Sequence, residues 1–150
     1  MSNNIWSKMS RALFVVEYTT MDDLKSYRDA IKSVGLNIHD CIILAIVKTK
    51  KEKNVLAEQY NVVFISDQEF NLFGRLKNGE AKNIAARSYD MILYSSDVSR
   101  RITKLLVKTK KNISVGVNCT LSEQMINLKT EADTPLHLIS FAKQTLEKLI

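Results

Sequence analysis

The sequence predicts an α/β domain with three layers, in which helices cover a mostly parallel sheet of five or six strands. Residues 41–47 and 91–94 form unbroken apolar runs, which are typical of strands buried on both faces. Residues 89–116 read as a strand, a basic amphipathic helix and a second strand, which is the repeating unit of a parallel α/β sheet. We therefore expect helices on both sides of the sheet.

The composition is that of a folded protein. The chain has 150 residues, of which 45% are hydrophobic and 25% charged, so it can bury a core of ordinary size. No apolar run approaches the ~18 residues of a transmembrane helix, and residues 1–8 lack the features of a signal peptide. We therefore expect a cytoplasmic protein with no membrane partner. Cys41 and Cys119 have no CxxC spacing, which favours free thiols over a disulfide or a metal site.

We predict one domain over residues 11–150. Residues 1–10 form a polar lead-in, from which Trp6 can pack on the body of the domain. A lysine-rich segment and a short helical candidate at residues 55–60 lie between the second and third strands. The strands predicted in the first half of the chain occupy residues 12–16 with a continuation to Tyr18, residues 41–47 and residues 62–65.

The first helix carries start and stop signals. Thr19 or Thr20 caps its amino end, and Thr20 with Asp23 approximates a capping box. Gly35 follows the last apolar position of the helical face, where a left-handed closing residue is common. The first strand and this helix therefore predict the first half of a parallel crossover.

The connection at residues 67–88 has no long periodic element. Ser66 and Glu69 form a second plausible capping box at its start. Asn78–Gly79 is a strong turn signal, which predicts the tip of a small hairpin. Phe70, Leu72 and Phe73 are predicted to plug one end of the sheet. A connection of this length indicates either a lid over the core or a functional loop.

A basic amphipathic helix is predicted after the strand at residues 91–94. Ser95, Ser96 and Asp97 offer side-chain oxygens as caps, so the helix is expected to begin near Val98. The lysines at its far end suit the negative end of the helix dipole. Arg100 and Arg101 lie in its first turn, where positive charge is locally unfavourable. This conflict suggests that the two arginines have another role.

The remaining elements are two strands and a helix. Strands are predicted at residues 113–117 and 125–128, and only residues 118–124 separate them. A parallel crossover needs about a dozen residues or more, so the sixth strand is expected to be an antiparallel edge strand. Thr134 as cap and Pro135 in the first helical position predict a final helix.

Familiar catalytic and cofactor signatures are not found. The four glycines fall outside the GxGxxG and P-loop patterns, so dinucleotide and nucleoside triphosphate fingerprints are missing. Neither His39 nor His137 lies in a recognised metal-ligand or catalytic spacing pattern. We therefore predict no catalytic residue, no metal and no cofactor.

The predicted site lies at the carboxyl ends of the strands, where parallel sheets usually bind ligands. Helix N–H groups, the hydroxyls of Ser95 and Ser96 and the guanidinium of Arg100 or Arg101 together suit a phosphate or carboxylate. Lys48, at the exit of the second strand, adds a further cation. Helix capping alone also produces polar residues at strand exits, and Asp97 would repel an anion.

Several short motifs lie in roughly the second half of the chain, namely Phe70, Phe73-Gly74, Tyr89-Asp90, Val115-Gly116 and residues 125–128. In these motifs the chain resembles a family of small Bacteroidota proteins, a domain of unknown function. This resemblance implies a Rossmann-like fold, within the three-layer Rossmann-like or flavodoxin-like class predicted above, but no activity. The unit at residues 89–116 also resembles a segment in the amino-terminal domain of heptosyltransferase-type glycosyltransferases, which implies a half that has lost catalysis.

The function favoured by the sequence is a non-catalytic cytoplasmic binding or interaction module, with a small phosphate-bearing anion or a protein as its partner. The net charge of +6 leaves weak RNA binding as an alternative, although the basic residues are not interleaved with aromatics expected to be exposed. An enzyme acting on a phosphorylated or sugar substrate is a third class, and it would need Glu17, Asp67 or Asp97 in a cleft. The basic residues considered for RNA are Lys48, Lys50, Lys51, Lys53 and the face at residues 100–111.

Overall fold

The computed structural model describes residues 6–119 and 126–148, and the strands in these ranges form one six-stranded sheet. Every pair of neighbouring strands is parallel. The spatial order is β3-β2-β1-β4-β5-β6, so the order reverses between β1 and β4. The strands are β1 (Ala12–Glu17), β2 (Cys41–Val47), β3 (Val62–Ser66), β4 (Ser88–Tyr94), β5 (Lys110–Val117) and β6 (Ile126–Leu128).

Helices cover both faces of this sheet, which confirms the predicted α/β class. Helices α1 and α5 pack on one face, and α3 and α4 pack on the other. No helix in the described ranges is both long and apolar enough to cross a membrane. The helices are α1 (Met21–Ser33), α2 (Lys50–Asn54), α3 (Gly79–Ala85), α4 (Arg100–Val107) and α5 (Pro135–Glu147).

The two cores follow from the alternation of side chains along each strand. In β1, Phe14 points toward α1 and α5, and Val15 points toward α3 and α4. Both side chains are fully buried. This two-sided burial is the reason that the central strands read as continuous apolar runs in the sequence.

Most of the predicted helix caps are confirmed. The hydroxyl of Thr20 accepts a hydrogen bond from the N–H of Asp23, and that of Thr134 accepts one from His137. Ser66 and Glu69 form a complete capping box, although it starts a short 3-10 turn, Asp67–Glu69, rather than a longer helix. Gly35 has a φ of +86° just after α1, as the closing position requires.

The orientation predicted for the last strand is wrong. β6 pairs with β5 in parallel, with Val115 opposite Ile126 and Val117 opposite Leu128. The rule that suggested an antiparallel strand applies to crossovers that contain a helix. Because β6 has only three residues, the returning chain needs to span only ~10 Å, at about 3.3 Å per strand residue. A short connection can therefore return in parallel. The predicted first residue of this strand, Met125, lies outside the described residues.

Several other predictions differ from the structure: β4 begins at Ser88 and β5 at Lys110, each three residues before the predicted start. Asn78–Gly79 does not turn a hairpin, because Asn78 caps α3 by accepting a hydrogen bond from the N–H of Ala81. The short helix after β2 was predicted at residues 55–60, but it is α2, Lys50–Asn54. It starts earlier because Thr49 caps its amino end. α4 begins at Arg100, two residues after Val98, because its cap is Ser99.

The lead-in contacts the domain over its described part. Trp6 is buried in the core beneath α1 and α5, and its indole N–H donates to the carbonyl of Val34 over 3.4 Å. Asp90, in β4, accepts hydrogen bonds from the backbone N–H groups of Ser10 and Arg11, both at 2.9 Å. These contacts attach the segment before β1 to the centre of the sheet.

Candidate functional site

The end of β4 is linked to α1 by a side-chain hydrogen bond. The hydroxyls of Tyr27 and Ser95 are 2.9 Å apart, and either can donate. Burial raises the pKa of Tyr27 and outweighs the opposing effect of the hydrogen bond, so the phenol stays neutral near pH 7. Because α1 follows β1, this bond joins the two strands between which the sheet order reverses.

Ser96 and Cys119 lie next to this point. The Ser96 Oγ atom is buried and has no hydrogen-bond partner among the described residues. The thiol of Cys119 donates to the carbonyl of Tyr94 over 3.6 Å, and burial raises its pKa to about 11. Cys119 is therefore a neutral thiol at physiological pH and does not supply a thiolate nucleophile.

The amino end of α4 is satisfied by protein groups. The Oγ atom of Ser99 accepts a hydrogen bond from the N–H of Ile102 and donates one of 2.6 Å to the carboxylate of Asp67. Ser95, Ser96 and Asp97 were predicted as caps, and that prediction is wrong because Ser99 occupies the cap position. The Asp67 carboxylate places a negative charge beside the first turn, where an anion was predicted to bind.

Arg100 and Arg101 instead line a groove along α4, which we call the basic groove. It has a volume of about 600 Å³ and lies between α4 and the loop that follows β3. Lys77 lines the adjoining surface together with Arg101. No carboxylate lines the groove in the part of the chain that the structure describes. Its lining residues are Phe70, Leu72, Phe73, Gly74, Leu76, Arg100, Arg101, Lys104, Leu105 and Lys108.

The loop wall of the groove is a tight turn. Phe70 and Leu76 pair as an antiparallel bridge at its base. The side-chain oxygen of Asn71 accepts hydrogen bonds from the N–H groups of Phe73 and Arg75, both at 2.9 Å. Gly74 has a φ of +78°, which few other residues adopt without strain. The tip of the loop is therefore held by local hydrogen bonds.

The tip presents two large apolar side chains to solvent. Leu72 is 97% exposed and Phe73 is 90% exposed. They were predicted to plug the sheet with Phe70, and only Phe70 is buried. The sequence did contain a signal, because the turn formed by Asn71 and Gly74 places the residues between them at its tip. Two adjacent exposed apolar side chains beside a basic helix are a candidate contact surface.

The base of the loop is fixed by a buried carboxylate. The Glu69 side chain, 6% exposed, accepts hydrogen bonds from the N–H of Ser66 at 2.8 Å and from the Asn78 amide at 3.2 Å. Its other oxygen forms a 2.9 Å ion pair with Lys53 of α2. Glu69 therefore connects α2, the end of β3 and the start of α3.

The far end of α4 is capped from the next strand. The ammonium group of Lys111 donates to the carbonyls of Leu106, Val107 and Thr109, at 3.0 to 3.1 Å. These contacts match the prediction that lysines near the helix end complement its dipole. Burial lowers the pKa of Lys111. Both ends of α4 are thus held by side chains from outside the helix.

The structure brings together two of the five predicted site residues. Arg100 and Arg101 share the basic groove. Ser95 and Ser96 lie at the end of β4, and Lys48 is exposed after β2, two strands away from β4. The groove adds Leu72, Phe73 and Leu105, which sequence reasoning did not assign to a ligand site. Lys104 and Lys108 also line it, and they belong to the face at residues 100–111 that was considered for RNA.

The histidines occupy peripheral positions. His39 is exposed, and its Nδ1 atom is 3.0 Å from the hydroxyl of Tyr60. His137 is exposed on the first turn of α5. Within residues 6–119 and 126–148, no group of three or more histidine, cysteine or acidic residues is arranged to hold a metal ion.

Comparison with known proteins identifies a family that this chain matches over nearly its whole length. A family model matches residues 1–149, and the family that it represents is described as a family of unknown function, DUF6913. No curated protein matches the chain. The expected relationship to a family of unknown function is confirmed, and the match covers the first half of the chain as well as the second.

Proposed function

We propose that this chain, which belongs to the family of unknown function DUF6913, is a non-catalytic binding module that holds an anionic partner in the basic groove. The observation that carries this proposal is the lining of the groove. Three cations of α4 and its capping residue Lys108 line the groove together with two exposed apolar residues, and no described carboxylate does so. A surface with this charge attracts anions and repels cationic partners.

The strand order supports a Rossmann-like arrangement, in which ligands usually bind where the order reverses. In this chain the bond between Tyr27 and Ser95 links the elements on either side of that point. The basic groove is on the other face of the sheet, between α4 and the loop that follows β3. The proposed ligand position is therefore along α4, which starts at the carboxyl edge of the sheet, and not at the strand reversal itself.

The carboxylates considered for catalysis support a binding role over an enzymatic one. Asp67 accepts the hydrogen bond from the cap of α4, so its contact is structural. Glu17 is exposed at the end of β1, and β1 and β5 lie on opposite sides of β4 in the sheet. Arg100 and Arg101 are the groove residues best suited to bind an anion, because guanidinium groups bind carboxylate and phosphate through paired hydrogen bonds.

A binding titration with a matched variant tests this proposal. We expect inorganic phosphate, polyphosphate or nucleotides to raise the unfolding midpoint of the wild-type protein, because a ligand that binds only the folded state stabilises it. Arg100→Ala with Arg101→Ala should weaken binding by about tenfold or more, from the loss of charge-assisted hydrogen bonds. The control is Lys25→Ala with Lys32→Ala, which removes the same charge from exposed positions on α1. Equal binding by both variants would contradict the proposal.

RNA is a second candidate ligand, and the position of Phe73 favours it. The aromatic ring is exposed next to Arg101, so the basic face does include one aromatic platform. Binding of single-stranded RNA should then fall steeply between about 50 and 200 mM salt, because phosphate contacts release counterions. Phe73→Leu should weaken RNA binding and leave polyphosphate binding unchanged. Weak salt dependence would exclude RNA.

A further inference from the structure

We infer that the partner of the basic groove is an acidic protein segment that also carries apolar side chains. This inference rests on the proposed function, since it names the class of anion that the groove binds. It follows from two features of the same surface, the exposed apolar tip and the cationic helix. A simple inorganic anion can bind the cations, but it cannot bury the apolar tip.

The apolar tip requires a partner with apolar groups. Leu72 and Phe73 are almost fully exposed, and the half-buried Leu105 faces them across the groove from α4. A phosphate or a nucleotide phosphate would leave Leu72 and Phe73 in water. A partner with apolar side chains would bury them, which is the favourable step in most protein association. The tip therefore selects for a ligand that is not purely ionic.

The cations require that the same partner be acidic. Arg101, Lys104 and Lys108, the last of which caps α4, follow one another at spacings of three and four, and Arg100 lies four residues before Lys104. The four cations therefore form a stripe beside the apolar tip. Glutamate or aspartate side chains that alternate with apolar ones would meet both surfaces at once. The groove volume of about 600 Å³ accommodates a few such side chains.

RNA fits this surface less well than a peptide does. A single-stranded nucleic acid binds through several stacking platforms, and Phe73 is the one exposed aromatic residue in the groove lining. Leu72 and Leu105 have no ring on which a base can stack. Aliphatic contacts of this kind are instead typical of protein interfaces, where a few buried anchors carry most of the binding energy.

The surface is also preorganised for such a partner. The hydrogen bonds to Asn71 and the ion pair of Glu69 hold the loop in place. The cap that joins Ser99 to Asp67 connects α4 to the turn from which the loop starts. Because both walls are fixed before binding, less conformational entropy is lost when a partner binds.

The test compares ligands that differ in one property at a time. Fluorescence anisotropy would measure binding of four labelled probes to the full chain: a peptide of glutamate and leucine, the same peptide with serine for leucine, single-stranded poly-uridine RNA, and anionic phosphatidylserine vesicles. The variants are Leu72→Ser with Phe73→Ser, Arg100→Ala with Arg101→Ala, and Val55→Ser as a control at an exposed apolar position outside the groove.

We expect the glutamate–leucine peptide to bind about tenfold or more tightly than its serine counterpart. Leu72→Ser with Phe73→Ser should abolish this preference and keep the weak binding of the serine peptide. Arg100→Ala with Arg101→Ala should weaken both peptides, and Val55→Ser should change neither. Equal affinity for the two peptides, or tighter binding of the RNA or the vesicles, overturns the inference, although the groove would still be an anion-binding site. If Arg100→Ala with Arg101→Ala changes the affinity for none of the probes, the proposed function fails as well.

Discussion

Replacing Glu69 with alanine should destabilise the fold more than replacing any exposed residue of the same loop. The carboxylate receives hydrogen bonds from Ser66 and Asn78 and an ion pair from Lys53, and its side chain is 6% exposed. Glu69→Ala leaves the two donors without their acceptor and the ammonium of Lys53 without its counterion. The three contacts also join α2 to the base of the loop, so their loss affects more than one element.

Breaking a buried ion pair by removing one partner costs about 3–5 kcal/mol in free energy of unfolding. Lys53 is 23% exposed, so water can solvate its charge in the variant, and we expect a loss near the lower end, about 3 kcal/mol. Glu69→Gln keeps an oxygen that can accept from the N–H of Ser66, and it replaces the oxygen that faces Lys53 with an NH2 group, so the ion pair is lost. Its expected cost is about 1–2 kcal/mol.

Urea unfolding at pH 7 measures both values, and a double-mutant cycle with Lys53→Met separates the ion pair from the hydrogen bonds. Hydrogen exchange at Lys77, whose N–H donates to the carbonyl of Glu69, reports whether only the loop opens. A loss below about 1 kcal/mol for Glu69→Ala, with unchanged exchange at Lys77, would refute the assignment of Glu69 as the anchor of the loop.

Two further predictions concern titratable groups. Burial tends to raise the pKa of Asp90, but hydrogen bonds from Arg11 and Ser10 outweigh it, so the folded-state pKa is lowered. Asp90→Asn should therefore destabilise the protein at pH 7. The difference in free energy of unfolding from wild type should shrink as the pH falls below about 4, which urea unfolding at the two pH values would measure. A difference that stays constant with pH would contradict this prediction. Burial raises the pKa of Cys41 and of Cys119 to about 11, so a thiol reagent at pH 8 should label them only after unfolding in guanidinium, and rapid labelling of the folded chain would contradict their burial.

Local signals in the sequence were sufficient to locate the strands and several caps, but not the starts of β4 and β5 or the orientation of β6. The bounds of β2 were predicted correctly because an apolar run buried on both faces has no polar residue until it ends. Thr20 and Thr134 were identified because a cap depends on residues three positions apart. The short helix α3 was missed. Only Ala81 and Ile84 mark its buried side, and Asn78–Gly79 is an equally strong signal for a turn.

The candidate site depended on contacts that are distant in sequence. The unfavourable charge of Arg100 and Arg101 indicated a special position, but their neighbours across the groove come from the loop at residues 70–77. The hydrogen bond from Ser99 to Asp67 joins these segments over 32 positions, and no local pattern encodes it. Leu72 and Phe73 were expected to be buried because large apolar residues usually are. The turn signal of Asn71 and Gly74 pointed the other way, and the structure shows that the turn prevails.

The position of Trp6 allows folding and ligand binding to be followed by separate fluorescence signals. It is the one tryptophan of the chain, and it lies in the core formed with α1 and α5, on the face of the sheet opposite α4. Its emission therefore reports the integrity of the fold from a site that a ligand in the groove does not touch. A fluorophore placed on the groove side would report occupancy independently. The same sample can thus distinguish a variant that fails to bind from one that fails to fold.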